Sequence, residues 1–174
     1  ADMATLSEVE SAWTTLLEEA GLDDPIGRDD PTAVAGSGEK FLVPVTYMNS
    51  SADLKDFVGR HGGIVCTSSN AQGVLNWAFE RAGKKGAVLF FPDQHLGRNT
   101  GNAMGISLDL MPTWTPGIGA MGEMKGSRII LWHGFCSVHK RFTPEQIVDF
   151  RSRHPDGIVV VHPECPIETV EASD

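Results

Sequence analysis

Residues 41–93 read FLVPVTYMNSSADLKDFVGRHGGIVCTSSNAQGVLNWAFERAGKKGAVLFFPD, and this stretch decides the fold. Three short apolar runs predict buried strands, and the two segments between them repeat apolar residues at helical spacing. Strands of this continuously apolar kind, alternating with helices, are typical of a parallel sheet covered on both faces. The predicted strands are Phe41–Tyr47, Gly63–Thr67 and Ala87–Phe91, and the predicted helices are Ser51–Arg60 and Ala71–Ala82.

The same alternation continues on both sides of this stretch. Upstream, Thr5-Leu6-Ser7-Glu8 has the form of a capping box and begins an amphipathic helix that Gly21 ends. Residues 106–126 are rich in Gly, Pro and Met and are predicted as a loop insertion. The remaining predicted elements are a strand at Arg128–Trp132, a helix from Thr143 to about Arg153, a strand at Gly157–Val161 and the first turn of a helix at Pro166–Val170. These patterns place the chain in the α/β class.

Composition excludes several classes of protein. The chain has 174 residues and a mass of 18.8 kDa, with 41% apolar and 21% charged residues, as in an ordinary globular domain. No apolar run approaches the roughly 20 residues of a membrane helix. A formal net charge of −9 makes nucleic acid or an anionic membrane a poor partner. Three scattered cysteines suit a reducing compartment, so we expect a cytoplasmic protein.

A polar segment directly follows every predicted strand. Ligands of open α/β sheets bind outside the carboxyl ends of the strands, so these segments predict a polar site at that edge. The segments are YMNSS at 47–51, TSSN at 67–70, PDQHLGR at 92–98, HGFCSVH at 133–139 and HPEC at 162–165.

Two of these segments contain candidate anion contacts. Ser68 lies just before a predicted helix, where a hydroxyl and the free helix N–H groups would bind a phosphate or carboxylate. The alternative is that Ser68 is a plain N-cap. Asp93, His95 and Arg98 would contact an anionic ligand or form a capped turn, and the pattern slightly favours the turn.

Two further segments contain candidate substrate and proton-transfer groups. Tyr47 and Asn49 would orient a carboxylate by hydrogen bonds, or else serve as a half-buried ring and a turn residue. His162 and Glu164 flank Pro163, and in an extended segment both side chains lie on the same face. An imidazole beside a carboxylate is a proton-transfer pair, although a surface salt bridge fits the same two residues equally well.

The cysteines suggest metal chemistry. Cys136 lies in a glycine-containing loop close to two histidines and would bind a metal as a thiolate. Together with His139, His162 and Cys165 it also has a rough zinc spacing, which makes a zinc-binding α/β protein one alternative. A non-catalytic, anion-binding α/β module that uses the Ser and Asn segments alone is another. Cys66, inside an apolar strand, is assigned to packing.

Taken together, these segments resemble the quinolinate synthase family, the iron–sulfur enzymes of de novo NAD biosynthesis. The resemblance runs over nearly the whole chain, and five motifs occur in the order found in the family. They are VTYMNSSA at 45–52, VCTSSNA at 65–71, PDQHLGR at 92–98, GFCSVH at 134–139 and VHPEC at 161–165. Residues 106–126 are the least family-like part and look like an insertion of the longer members.

The resemblance implies three-layer α/β/α units with short parallel sheets, arranged as a pseudo-threefold repeat. Residues 1–136 would be the second unit, with the insertion near 106–126, and residues 137–174 the truncated beginning of the third. The segments Tyr47–Ser50 and His162–Cys165 would then be equivalent loops of the two units. Part of a third unit without partner strands would expose apolar surface.

The resemblance also implies a reaction. Members of the family are transferases that condense iminoaspartate with dihydroxyacetone phosphate to quinolinate, and L-aspartate oxidase is the expected upstream supplier. The motifs place substrate binding at Tyr47, Asn49, Ser68, His162 and Glu164, with His162, Glu164 and Tyr47 as the catalytic residues.

The implied cofactor is a 4Fe-4S iron–sulfur cluster that three cysteines hold, one from each unit. Cys136 falls at the ligand position of the second unit, whereas Cys66 and Cys165 do not fall at ligand positions. The ligand of the first unit would precede Ala1, since residues 1–4 look like the segment that follows it, and the ligand of the third would lie beyond Asp174. On this interpretation the chain is a fragment that is inactive by itself.

Overall fold

The protein folds around one six-stranded sheet, and a computed structural model describes residues 3–174 of the chain. Residues 1 and 2, which begin the segment expected to follow the first cluster ligand, lie outside the described residues. The strands are β1 (Leu42–Tyr47), β2 (Ile64–Cys66), β3 (Ala87–Phe91), β4 (Thr113–Thr115), β5 (Gly119–Met121) and β6 (Ile129–Trp132). Their order is β2-β1-β3-β6-β4-β5, and all neighbours are parallel except β4 and β5.

Helices cover both faces of the sheet. They are α1 (Leu6–Ala20), α2 (Ala52–Arg60), α3 (Ala71–Ala82), α4 (Gln94–Ala103), α5 (Pro144–Arg153) and α6 (Ile167–Ala172). The helices α1 and α2 pack on one face, and α3 and α4 pack on the other. None of these helices in residues 3–174 is long and apolar enough to cross a membrane.

The central strands are apolar on both faces, which is why their sequences are continuous apolar runs. In β3, Leu89 and Phe91 belong to the core beneath α1 and α2, whereas Val88 and Phe90 belong to the core beneath α3 and α4. All four side chains are fully buried. The predicted three-layer α/β/α architecture with a mainly parallel sheet is therefore confirmed.

Helix α4 was not predicted. The polar segment after β3 suggested a loop or turn, and α4 itself is polar and contains two glycines, which are poor helix formers. The helix forms because Asp93 caps its first turn and because tertiary contacts fix its buried face. Gly97 packs directly against Phe90, where a Cβ atom would come within 2.6 Å of the ring.

The segment 106–126, predicted as a loop insertion, contributes regular structure to the sheet. Its strands β4 and β5 form an antiparallel hairpin, and β4 extends the sheet by pairing in parallel with β6. Trp114 in β4 is buried in the core beneath α1. A three-residue strand between glycines and prolines is too short for periodicity to reveal.

The prediction of a strand at Gly157–Val161 was wrong, because these residues pair with no strand in the described part of the chain. The backbone of Val159 bonds to Asp174, which accepts the Val159 N–H through its side chain and donates its own N–H to the Val159 carbonyl. Ile158 and Val160 are 78% and 83% exposed. A strand needs a hydrogen-bonded neighbour, which local sequence does not supply.

Candidate active site

A cleft of about 800 Å³ opens at the carboxyl edge of the sheet, a size typical of small-molecule sites. The strands β1, β2, β3 and β6 are parallel, so the polar segments that follow them meet at this edge. Asn49, Cys136, His139 and Glu164 line the cleft. Four of the five segments singled out in the sequence therefore contribute residues to one concave surface.

Tyr47 and Ser68 lie side by side at the ends of β1 and β2. Burial raises the pKa of the Tyr47 phenol, the negative charge of Glu164 raises it further, and a hydrogen bond with Ser68 acts in the opposite direction. Asn49 follows two residues after Tyr47, and its exposed amide faces the cleft.

The N-terminus of α3, next to Ser68, carries no side-chain cap from the described residues. Asn70 occupies the N-cap position, but its side-chain oxygen accepts the N–H of Thr67 at 2.7 Å instead of a helix N–H. The first N–H groups of a helix have no partner within it, so they are available to an anion. The local geometry thus favours the anion-binding interpretation of Ser68 over the plain N-cap.

Glu164 lies between two histidines. Its Oε2 atom is 3.2 Å from Nδ1 of His139 and 3.3 Å from Nδ1 of His162, and the two imidazole rings stack with centroids 4.6 Å apart. The carboxyl group is almost fully buried, with 4% of the residue exposed. The backbone N–H of Glu164 donates to Nδ1 of His162 at 3.2 Å, which favours the proton of the neutral ring at Nε2.

The protonation of this group is set by burial. Burial raises the pKa of Glu164 above its ordinary value, and the nearby His139 opposes this shift. Burial also lowers the pKa of His162, with a further contribution in the same direction from His139. Both directions favour uncharged side chains, so an acid able to give a proton lies beside a ring able to accept one.

Cys136 lies on the loop after β6 as a half-buried free thiol. Its backbone N–H donates to Oδ2 of Asp93 at 3.0 Å. A thiol at the wall of a polar cleft suits a metal–thiolate bond, which is the ligand type that iron–sulfur clusters use. The chain therefore offers one thiolate of the kind that the predicted cluster requires.

The four residues of the zinc alternative do not form one group. His139, His162 and Glu164 make up the candidate metal-binding group found in residues 3–174, with ligand atoms within 4.8 Å of one another. Neither Cys136 nor Cys165 belongs to it. Cys165 is buried, and this burial raises the pKa of its thiol, which disfavours the thiolate.

Asp93, the N-cap of α4, and Asn99 within α4 hold the site together through contacts that no sequence pattern indicated. Asp93 caps the helix and binds the Cys136 loop. Asn99 donates through its side-chain amide to the carbonyl oxygens of Pro163 at 2.7 Å and Cys165 at 2.8 Å. Arg98, a candidate anion contact, instead donates to Gln94 at 3.0 Å and to Thr113 at 3.3 Å.

Fold and site together define a class, namely an α/β protein with a small-molecule cleft at the carboxyl edge of a parallel sheet. Comparison with known proteins narrows this class. The family model described as quinolinate synthetase A protein matches residues 1–174. The chain belongs to the quinolinate synthase family.

Individual relatives agree with this assignment. The chain is 54% identical over 178 residues to the quinolinate synthase of Corynebacterium glutamicum, covering all of the chain and 40% of the relative. Identity is 47% over 180 residues with that of Streptomyces coelicolor, of which 40% is covered, and 42% over 177 residues with that of Halobacterium salinarum, of which 42% is covered. The chain spans about two fifths of the length of these relatives.

Proposed function

We propose that this chain is the central portion of a quinolinate synthase that condenses iminoaspartate with dihydroxyacetone phosphate. The observation that carries the proposal is the meeting of Cys136, Asn49 and Glu164 in one cleft, in a chain that belongs to this family. The products are quinolinate, phosphate and water. The protein is accordingly a transferase of the cytoplasm, and L-aspartate oxidase is the enzyme expected to supply iminoaspartate.

Neutral donors bind the anionic substrates in this proposal. Tyr47 and Asn49 donate hydrogen bonds to substrate carboxylates in this proposal, since Asn49 lines the cleft and Tyr47 ends the strand that leads to it. Ser68 and the uncapped N–H groups of α3 receive a phosphate or carboxylate. Directional neutral donors of this kind are consistent with a protein whose net charge is −9.

His162 and Glu164 bind substrate and move protons during enolisation and dehydration. Their contact at 3.3 Å and the opposite shifts of their pKa values support this role. Tyr47, at the end of β1, assists catalysis in this proposal.

Cys136 would hold one iron of a 4Fe-4S cluster, and the other two ligands would come from outside this chain. When bound, a cluster with three cysteine ligands supplies an open iron that acts as a Lewis acid on a substrate oxygen or nitrogen. Residues 1–136 form the second of three α/β units and residues 137–174 begin the third. A chain with one of three ligands is inactive by itself.

The direct test is quinolinate formation by the protein expressed anaerobically from its complete reading frame. Glu164→Gln removes the proton but keeps the shape, so we expect the rate to fall on the order of 10²- to 10⁴-fold. Glu145→Gln is the matched control, because Glu145 is exposed on α5 and does not line the cleft. An unsubstituted protein that contains iron and sulfide but forms no quinolinate would contradict the proposal.

A further inference from the structure

The carboxylate of Asp93 joins two distant parts of the chain. Asp93 is fully buried between β3 and α4. Its Oδ1 atom accepts the N–H of Leu96 at 2.8 Å, which caps α4, and its Oδ2 atom accepts the N–H of Cys136 at 3.0 Å. One side chain therefore fixes the backbone of Cys136 relative to the first turn of α4.

The surrounding backbone is fitted to the same contact. The N–H of Gln94 donates to the carbonyl of Gly134 at 2.8 Å, which ties the start of α4 to the loop that carries Cys136. At Gly134 a Cβ atom would lie 2.1 Å from the Pro92 carbonyl oxygen, so the loop approaches as closely as it does because this residue is glycine. Asp93 and Gly134 together fix the start of α4 against the loop that carries Cys136.

Burying a carboxylate costs folding free energy, and capping a helix does not require a charged residue. The salt bridges found in the described residues do not include Asp93, so its carboxylate is buried without a cationic partner. Serine, threonine or asparagine would cap the helix without this cost. The second oxygen, which accepts from Cys136, distinguishes aspartate from those residues.

We propose that Asp93 is a positioning residue for the metal ligand Cys136, and that it orients the thiol toward the cleft through the Cys136 N–H. The inference rests on the proposed function, in which Cys136 binds an iron of the cluster. Residues that orient a metal ligand by a hydrogen bond generally affect metal affinity as well as activity.

The variant Asp93→Asn separates the two hydrogen bonds. Asparagine is a good N-cap, so its oxygen can continue to accept from Leu96. Its NH₂ group then faces the N–H of Cys136 and cannot accept from it. The substitution therefore keeps the cap of α4 and removes the bond to Cys136.

The experiment uses the protein from the complete reading frame, purified anaerobically with its cluster. We expect Asp93→Asn to lose iron to a chelator on the order of tenfold faster than the unsubstituted protein. We also expect a more positive reduction potential, because a negative charge near the cluster has been removed. Because removal of the charge shifts the potential by itself, the rate of iron loss is the measurement that tests the positioning role.

The matched control is Asp24→Asn. Asp24 is likewise an acidic N-cap, at the start of the short 3-10 helix Pro25–Gly27. Its carboxylate makes hydrogen bonds with Trp13, His61 and the N–H of Ile26. It does not line the cleft. Its substitution weakens the fold without touching Cys136, so cluster loss and potential should match those of the unsubstituted protein.

The results for the two variants test the inference that Asp93 positions Cys136. Unchanged iron loss in Asp93→Asn would overturn it, and so would equal iron loss in Asp24→Asn. Absence of iron and sulfide from the unsubstituted protein would contradict the proposed function instead. In that case amide hydrogen exchange of Cys136 still tests the contact, since exchange should be faster in Asp93→Asn than in the unsubstituted protein, and equal exchange would overturn the inference.

Discussion

Asp24, Trp13 and His61 form a half-buried polar cluster at the margin of the core beneath α1 and α2, and none of the three lines the candidate active site. Nε1 of Trp13 donates to Asp24 at 2.6 Å, and Nδ1 of His61 lies 2.9 Å from the same carboxylate. Burial acts to raise the pKa of Asp24, but the hydrogen bonds from His61, the Ile26 N–H and Trp13 outweigh it, so this pKa lies below its ordinary value. The cluster therefore stabilises the fold in its ionised form.

Asp24→Asn should lower the free energy of unfolding by about 1–2 kcal/mol at pH 7. A carboxyl group whose pKa is lower in the folded state contributes stability above its unfolded pKa and loses it as the pH falls through the folded pKa. The difference between the two proteins should thus shrink below about pH 4. Urea unfolding at several pH values measures it, and a difference that does not change with pH would contradict the assignment.

The roles of individual site residues were partly accessible from the sequence. Glu164 and His162 are two residues apart, so their contact followed from local geometry. The contact of Asp93 with Cys136 joins residues 43 positions apart, and that of Asn99 with Cys165 joins residues 66 positions apart. No local pattern encodes such pairs, because the fold alone brings them together.

At the scale of elements, regular segments with strong patterns were predicted well. Helix α3 and strand β3 have the predicted bounds, since apolar periodicity and flanking polar residues agree there. Helix α4 escaped prediction because its stability comes from a cap and from tertiary contacts. It is also the element that connects the two loops of the site, through Asp93 at its start and Asn99 in its last turns.

Asn99→Ala should displace the loop that carries His162 and Glu164. The change leaves the carbonyl groups of Pro163 and Cys165 without their donor, at a cost of about 2 kcal/mol in the free energy of unfolding. Thr100→Ala on the same helix is the control, because the Thr100 hydroxyl bonds within α4 to Leu96. We expect a raised KM for Asn99→Ala in the complete protein, and a KM equal to that of Thr100→Ala would contradict this role of Asn99.

At the scale of the whole molecule, positive charge is concentrated away from the candidate active site. Four of the chain's six lysines line a second cleft of about 610 Å³ together with Arg128. These residues, Lys40, Lys84, Lys85, Lys125 and Arg128, lie shortly before β1, β3 and β6, at the opposite edge of the sheet. In the described part of the chain, the lining of the candidate site includes neither Lys nor Arg. Anion binding there is thus expected to depend on helix N–H groups and neutral side chains.

The exposed segment around Val160 tests the proposed third unit. If the complete protein supplies neighbouring strands, Val160→Lys should lower its free energy of unfolding by about 2 kcal/mol, because a charge would be buried. Val148→Lys on α5, where the side chain is 67% exposed, should change it by less than about 0.5 kcal/mol. Thermal unfolding of both variants in the complete protein measures these changes in stability. Equally small changes for Val160→Lys and Val148→Lys would contradict a packed third unit.

The most direct test of the proposed function is the iron, sulfide and zinc content of the complete protein after anaerobic purification, with and without Cys136→Ala. Cys66→Ala is the control, because Cys66 is buried in β2 and burial raises the pKa of its thiol to about 12. The proposal predicts iron and sulfide in cluster proportion in the unsubstituted protein and in Cys66→Ala, and their loss in Cys136→Ala. Zinc without sulfide, or a cluster that survives Cys136→Ala, would contradict it.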